Sequence, residues 1–131
     1  ASDVYKRQGK IMILVDKKTD KLGSGIVNMI QGAKDDYIKM STMGGKELTG
    51  YSKEQVDNWD NMIRTEDGQK YIRVVRDRGV FAFVVKEDSG KFKKGDILKA
   101  AGYRAPATNS ARGNVLTGNY AIEWTGPLYL R

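Results

Sequence analysis

Tyr71-Ile72-Arg73-Val74-Val75-Arg76-Asp77-Arg78-Gly79-Val80-Phe81-Ala82-Phe83-Val84-Val85 is the stretch on which the fold turns. Its apolar residues are aromatic or largely β-branched and recur with a period of two. Arg76-Asp77-Arg78-Gly79 divides the run, so it reads as a β-hairpin opening after the Asp67-Gly68 turn. Strict alternation puts Phe81 and Phe83 on one strand face. Toward the C-terminus, further short strands are expected at 96–99, 120–124 and 128–130, with a long irregular loop over 103–118.

Toward the N-terminus the period changes. Ile26, Met29, Ile30, Ala33, Tyr37 and Met40 follow a three-and-four spacing from Ser24, which predicts a first helix stopped by Gly44-Gly45. Ser52-Lys53-Glu54-Gln55 reads as a capping box, and Val56, Trp59 and Ile63 then form the buried face of a second helix. Ile11 to Val15 is an apolar run closed by polar residues, a first strand. The expected fold is α+β: two helices in the N-terminal half packed with a mainly antiparallel sheet of about six strands.

Residues 1–8 stand apart. Ser2-Asp3-Val4-Tyr5-Lys6-Arg7-Gln8 resembles an adapter-derived leader of metagenomic reading frames, so 1–8 are excluded from the fold and 9–131 are expected to form a single ligand-binding domain. A chain of 131 residues has the length of one such domain. No apolar run approaches the roughly 20 residues of a membrane span, and with no cysteine a reducing cytoplasm is the expected location. The absence of histidine as well removes the usual proton-transfer side chain and most zinc chemistry. No cofactor, metal ligand or catalytic residue is expected.

The formal net charge of +7 is unevenly spread. Residues 1–66 hold eleven Lys or Arg against ten Asp or Glu, whereas 67–131 hold twelve against six, and eight of the twelve aromatic residues lie in that second half. Cations and ring faces together are what phosphates and bases require. Most of these residues nevertheless serve sheet core and solvated edges, as Lys91-Phe92-Lys93-Lys94-Gly95-Asp96 does at a turn. Met29, Met40, Met43 and Met62 read as core filler. Gly23-Ser24-Gly25 reads as an ordinary helix start, and Gly44-Gly45-Lys46 lacks the Ser or Thr of a phosphate loop.

The loop Tyr103-Arg104-Ala105-Pro106-Ala107-Thr108-Asn109-Ser110-Ala111-Arg112-Gly113-Asn114 concentrates nucleotide-binding groups. Arg112 can fork onto phosphate oxygens, Asn109, Ser110 and Asn114 can reach ribose hydroxyls, Tyr103 can stack, and Gly113 permits close backbone approach. The same residues also fit a plain surface loop, and the loop alone does not choose.

The stretch 92–131, through Lys94-Gly95-Asp96-Ile97-Leu98-Lys99, Ala105-Pro106-Ala107, Ser110-Ala111-Arg112-Gly113-Asn114 and Trp124-Thr125-Gly126-Pro127-Leu128-Tyr129-Leu130-Arg131, resembles the first-described Thoeris anti-defence family of phage proteins. That family is a signal sponge. Its members are said to capture glycocyclic ADP-ribose, the messenger of bacterial TIR-domain enzymes, without cleaving it, and some hold cyclic trinucleotides in a separate site. The resemblance implies a homo-oligomer of dimers assembling toward a hexamer, with pockets at the dimer interface. Arg112 and Arg131 match the family's C-terminal arginine contacts, and Phe81 or Phe83 its phenylalanine contact. On that reading Arg112→Ala and Arg131→Ala abolish ligand retention and leave the thermal melt unchanged.

Two other readings stand beside it. The basic sheet half fits a nucleic-acid-binding module. A metal-dependent phosphodiesterase would have only Asp35-Asp36 and Asp57 with Asp60 to call on. Arg64, Arg73, Arg76 and Arg78 serve either a second ligand site or exposed strand and turn positions.

Overall fold

The computed structural model describes residues 13–128. The chain runs β1 (Ile13–Val15), α1 (Leu22–Ser41), α2 (Gly50–Asp57), a one-turn α3 (Trp59–Met62), β2 (Ile63–Asp67), β3 (Tyr71–Arg76), β4 (Gly79–Val85), β5 (Ile97–Leu98), β6 (Tyr120–Glu123) and β7 (Gly126–Pro127). This is an α+β fold. The strands form two antiparallel sheets rather than one, in the orders β1-β6-β7 and β2-β3-β4-β5. Among the described residues no helix is long and apolar enough to cross a membrane.

The stripe of α1 is buried as its spacing requires. Ile26, Met29, Ala33 and Tyr37 enter the main core, while Met40 and Met43 remain exposed. Two glycines set how closely the helix lies. A Cβ on Gly32 would stand 2.6 Å from a Val15 methyl and 3.1 Å from one of Ile122, and a Cβ on Gly25 only 2.5 Å from the Val115 carbonyl oxygen. Gly25 is therefore a close-approach residue inside a helix that begins at Leu22, not part of its start. The helix ends where the Thr42 amide and hydroxyl both donate to the Ile38 carbonyl, and Gly44 and Gly45 follow at φ 76° and 79°.

The capping box does not form. α2 starts three residues earlier than expected, with Thr49 at its N-cap and no side-chain cap bond, so Ser52 already lies in the helix and donates to the Thr49 carbonyl at 2.9 Å. Ile63 is the first residue of β2, not the end of a helix. The burial rhythm survives this change: Trp59 is wholly buried, and Val56 and Ile63 pack against the same core. β2, read as helix and turn in the sequence, pairs with β3 over its whole length at the sheet edge.

The hairpin forms as expected, with Arg76 opposite Gly79 and Asp77 at φ 57°. One feature overturns the alternation reading. Val74 faces Ala82 but Val75 faces Val80, which leaves Phe81 as an extra residue, a β-bulge. Phe81, Ala82 and Val84 then join the main core, whereas Phe83 and Val85 join a second cluster with Phe92 and Leu98. Phe81 and Phe83 belong to opposite faces.

The remaining strands are shorter than expected at 97–98 and 120–123. β7 ends before the predicted strand, of which Tyr129 and Leu130 lie outside the described residues. The loop after β5 is pinned by isolated bridges between Ala100 and Pro106 and between Asp96 and Asn114.

Candidate functional site

The face of the four-stranded sheet that carries Phe83 is the one the main core leaves uncovered. Cross-strand register lines up Glu66, Arg73, Phe83 and Leu98 from the β2 edge to β5. The loop after β5 crosses this row: Ala100 and Ala111 pack on the Phe83 and Leu98 cluster, and the chain then reaches Tyr103 over β3.

Arg73 is the centre of the arrangement. Its guanidinium carbon lies 5.0 Å from the Tyr103 ring centroid and 5.8 Å from that of Phe83, within cation–π range of both. Its Nη1 donates to Glu66 Oε1 at 2.6 Å, while its Nε is buried without a partner. Arg64 contacts Glu66 Oε2 at 3.4 Å and donates to the Tyr103 hydroxyl at 3.2 Å, which anchors the loop over the strands. The Arg73 hydrogen bond, aided by Arg64, holds the Glu66 carboxyl below the usual range. Beside Arg73 opens a cleft of about 400 Å³ whose walls include Glu66, Lys70, Tyr71, Phe83 and Arg104. Tyr71 meets Phe83 edge to face at 6.0 Å. The cleft thus offers guanidinium and ammonium groups for phosphates and the carboxylates of Glu66 and Asp67 for hydroxyls; for a base it has the half-buried Tyr71 ring in its wall and the exposed Tyr103 ring across Arg73, while buried Phe83 backs the site.

Of the side chains expected to bind, Phe83 and Tyr103 meet here. Arg112, Asn109 and Ser110 form a separate group. The Arg112 guanidinium donates from Nη1 to the Leu128 carbonyl at 2.6 Å, from Nε to the Ser110 carbonyl at 3.2 Å and from Nη2 to Asn109 Oδ1 at 3.3 Å. It ties the loop to the chain beyond β7. Asn109 Oδ1 also accepts from the Ser110 amide, its carbonyl accepts from Lys91, and the Ser110 hydroxyl stays local to Ala111.

Asn114 bridges Lys94 and Asp96 with its amide nitrogen and accepts from Leu116 and Thr117 with its oxygen, so both ends serve the loop. Gly113, at φ 148°, gives close approach to Tyr120, where a Cβ would come within 2.5 Å. Phe81 lies on the other face, and Arg131 is outside the described residues.

The acidic residues weighed for a metal do not converge. Asp36 is buried, accepting from the Trp124 amide at 2.8 Å; Asp35 pairs with Gln31 and Asp57 with Lys53. Among the described residues no three acidic side chains gather as a metal site. Comparison with protein-family models, curated proteins and solved structures found no match.

Arg104, Lys70 and Glu66 carry the cleft without having been singled out by sequence. Arg73 shares parity with Tyr71 along β3, which marks the face, but its partners become visible only once β2 is recognised as a strand.

Proposed function

We propose that this chain retains an anionic, nucleotide-like ligand in the outer-face cleft and leaves it intact, acting as a sponge for cyclic ADP-ribose-type messengers such as glycocyclic ADP-ribose. The observation that carries the reading is Arg73 set between Phe83 and Tyr103 at a cleft that also takes Arg104 and Lys70. A pyrophosphate needs paired cationic donors, an adenine needs a ring face, and riboses need acceptors such as Glu66. The resemblance stated above supplies the choice of messenger and its place in countering Thoeris immunity. In this reading Arg112 serves the ligand through the loop it holds. Nanomolar capture requires about 12 kcal/mol, more than an open cleft provides, and a second copy closing over the face, in a dimer that assembles further, would add the missing contacts.

The test is retention. Protein is mixed with glycocyclic ADP-ribose, filtered and heat-denatured, and the released compound is identified by mass spectrometry. Intact ligand at a fixed ratio per protomer is the expected result. Converted ligand would establish an enzyme, and ligand that passes the filter at micromolar protein would end the proposal. A cationic sheet face with the exposed Tyr103 ring over it also suits single-stranded nucleic acid. That alternative predicts binding that grows with strand length and weakens steeply with salt, whereas the small ligand should be far less salt-sensitive.

A further inference from the structure

On the opposite face of the same sheet, a second arginine stands in a different setting. The Arg76 guanidinium carbon lies 4.2 Å from the Trp59 ring centroid and 5.7 Å from that of Trp124, and Tyr37 contacts both indoles at 5.7 and 5.3 Å. Nη2 donates to Gln55 Oε1 at 3.2 Å and Nε is buried without a partner. No described residue accepts from Nη1, and none of the described ion pairs includes Arg76. Burial disfavours its charge. Arg76 is half-buried, with Nε the one nitrogen buried without a partner, and two indole faces with one neutral amide replace only part of the water it gives up. Beside it opens a cavity of about 210 Å³ lined by Arg76, Gly79, Val80, Phe81, Trp124 and Thr125.

We infer that this cavity is a binding site, distinct from the outer-face cleft, for a compact carboxylate carried on a flat apolar body. Charge decides the anion. Arg76 is the one cation among the lining residues, its Nη1 meets no described acceptor, and Thr125 lines the same cavity with a hydroxyl. One cation matches the single charge of a carboxylate, whereas a phosphate dianion calls for more. Val80, Phe81 and Trp124 supply apolar walls for the body of the ligand. The space beside Gly79 is open, since a Cβ there would meet nothing within 4 Å.

Benzoate is the probe. It is titrated into the 15N-labelled full chain and followed at the indole N–H cross-peaks of Trp59 and Trp124, the chain's two tryptophans. The expected result is a saturable shift at Trp124 with a dissociation constant in the millimolar range, and binding of uncharged benzamide at least about tenfold weaker. Thr125→Val should weaken benzoate roughly fivefold with an unchanged melt, and Arg76→Met should abolish the response. The Thr125 variant and the benzamide comparison keep the test decisive if Arg76→Met fails to fold. Equal binding of benzoate and benzamide, no saturation, or inorganic phosphate bound more tightly than benzoate would each overturn the assignment.

Discussion

Replacing Arg112 by alanine tests whether this side chain holds the loop or waits for a ligand. The variant loses three donated bonds, to the carbonyls of Leu128 and Ser110 and to Asn109 Oδ1. They are not equal. The Leu128 bond is short and partly buried, so it contributes about 1–2 kcal/mol, whereas the two exposed bonds add only a few tenths each. The sum is about 2 kcal/mol. For a chain of this length that lowers the melting temperature by roughly 6–10 °C. The sequence-based expectation was an unchanged melt, because it assigned the guanidinium to ligand rather than to the Leu128 carbonyl. Thermal unfolding followed by circular dichroism, with urea unfolding to check that the slope stays constant, measures the loss. A variant melting within about 1 °C of the parent would refute the reasoning, since the bond to Leu128 would then carry no stability.

Tyr103→Ala should show the opposite balance: its ring is exposed, so losing the Arg64 bond and the Arg73 contact costs only about 1 kcal/mol of stability, while nucleotide retention falls by roughly 5- to 100-fold, read by equilibrium dialysis. Two of the glycines of α1 that differ in crowding should also part company. Gly23→Ala meets nothing within 4 Å and should stabilise by about 0.5–1 kcal/mol, whereas Gly32→Ala drives a methyl into Val15 and should cost about 1–3 kcal/mol before that helical gain, both read from urea midpoints. Burial pushes the Asp36 carboxyl up to about 6, with Glu123 nearby adding to the rise and the Trp124 amide opposing it. Between about pH 4 and 6 the folded chain keeps a proton that the unfolded chain has released. Asp36 therefore makes stability fall as pH rises through that window and levels off above it; urea midpoints at several pH values should show the slope, and Asp36→Asn should remove it.

Helix α1 was legible because it carries its period over many residues, and the hairpin because two runs rich in β-branched residues flank the Arg76-Asp77-Arg78-Gly79 turn. β2 was not, since Ile63-Arg64-Thr65-Glu66-Asp67 is a charged edge strand with little apolar alternation, and Trp59 at the end of a helical spacing drew Ile63 into the wrong element. Losing β2 hid half the cleft, because Glu66 and Arg64 meet Arg73 and Tyr103 only through that pairing. The bulge at Phe81 was equally invisible: one extra residue changes which face a phenylalanine joins, and nothing in the composition of the run announces it. The polar loop illustrates the opposite error. Asn114 and Arg112 have the chemistry of ligand contacts, but a long loop also needs its own backbone groups satisfied, and both are engaged in that task.

The pairing of β1 with β6 joins Ile13 to Ile122 across almost the whole described chain. During synthesis, the side of α1 that rests on β1 and β6 has no complete sheet to cover it until residue 123 has left the ribosome. At about 5–20 residues per second, that leaves the Ile26, Met29 and Ala33 stripe without its full cover for roughly 5–20 s, while the hairpin, whose contacts are local, has long been able to close. The vulnerable species of this protein is thus a nascent chain with a formed hairpin and an incompletely covered helix. Substitutions that slow the arrival of β6 should lower soluble yield more than they lower the stability of protein already folded.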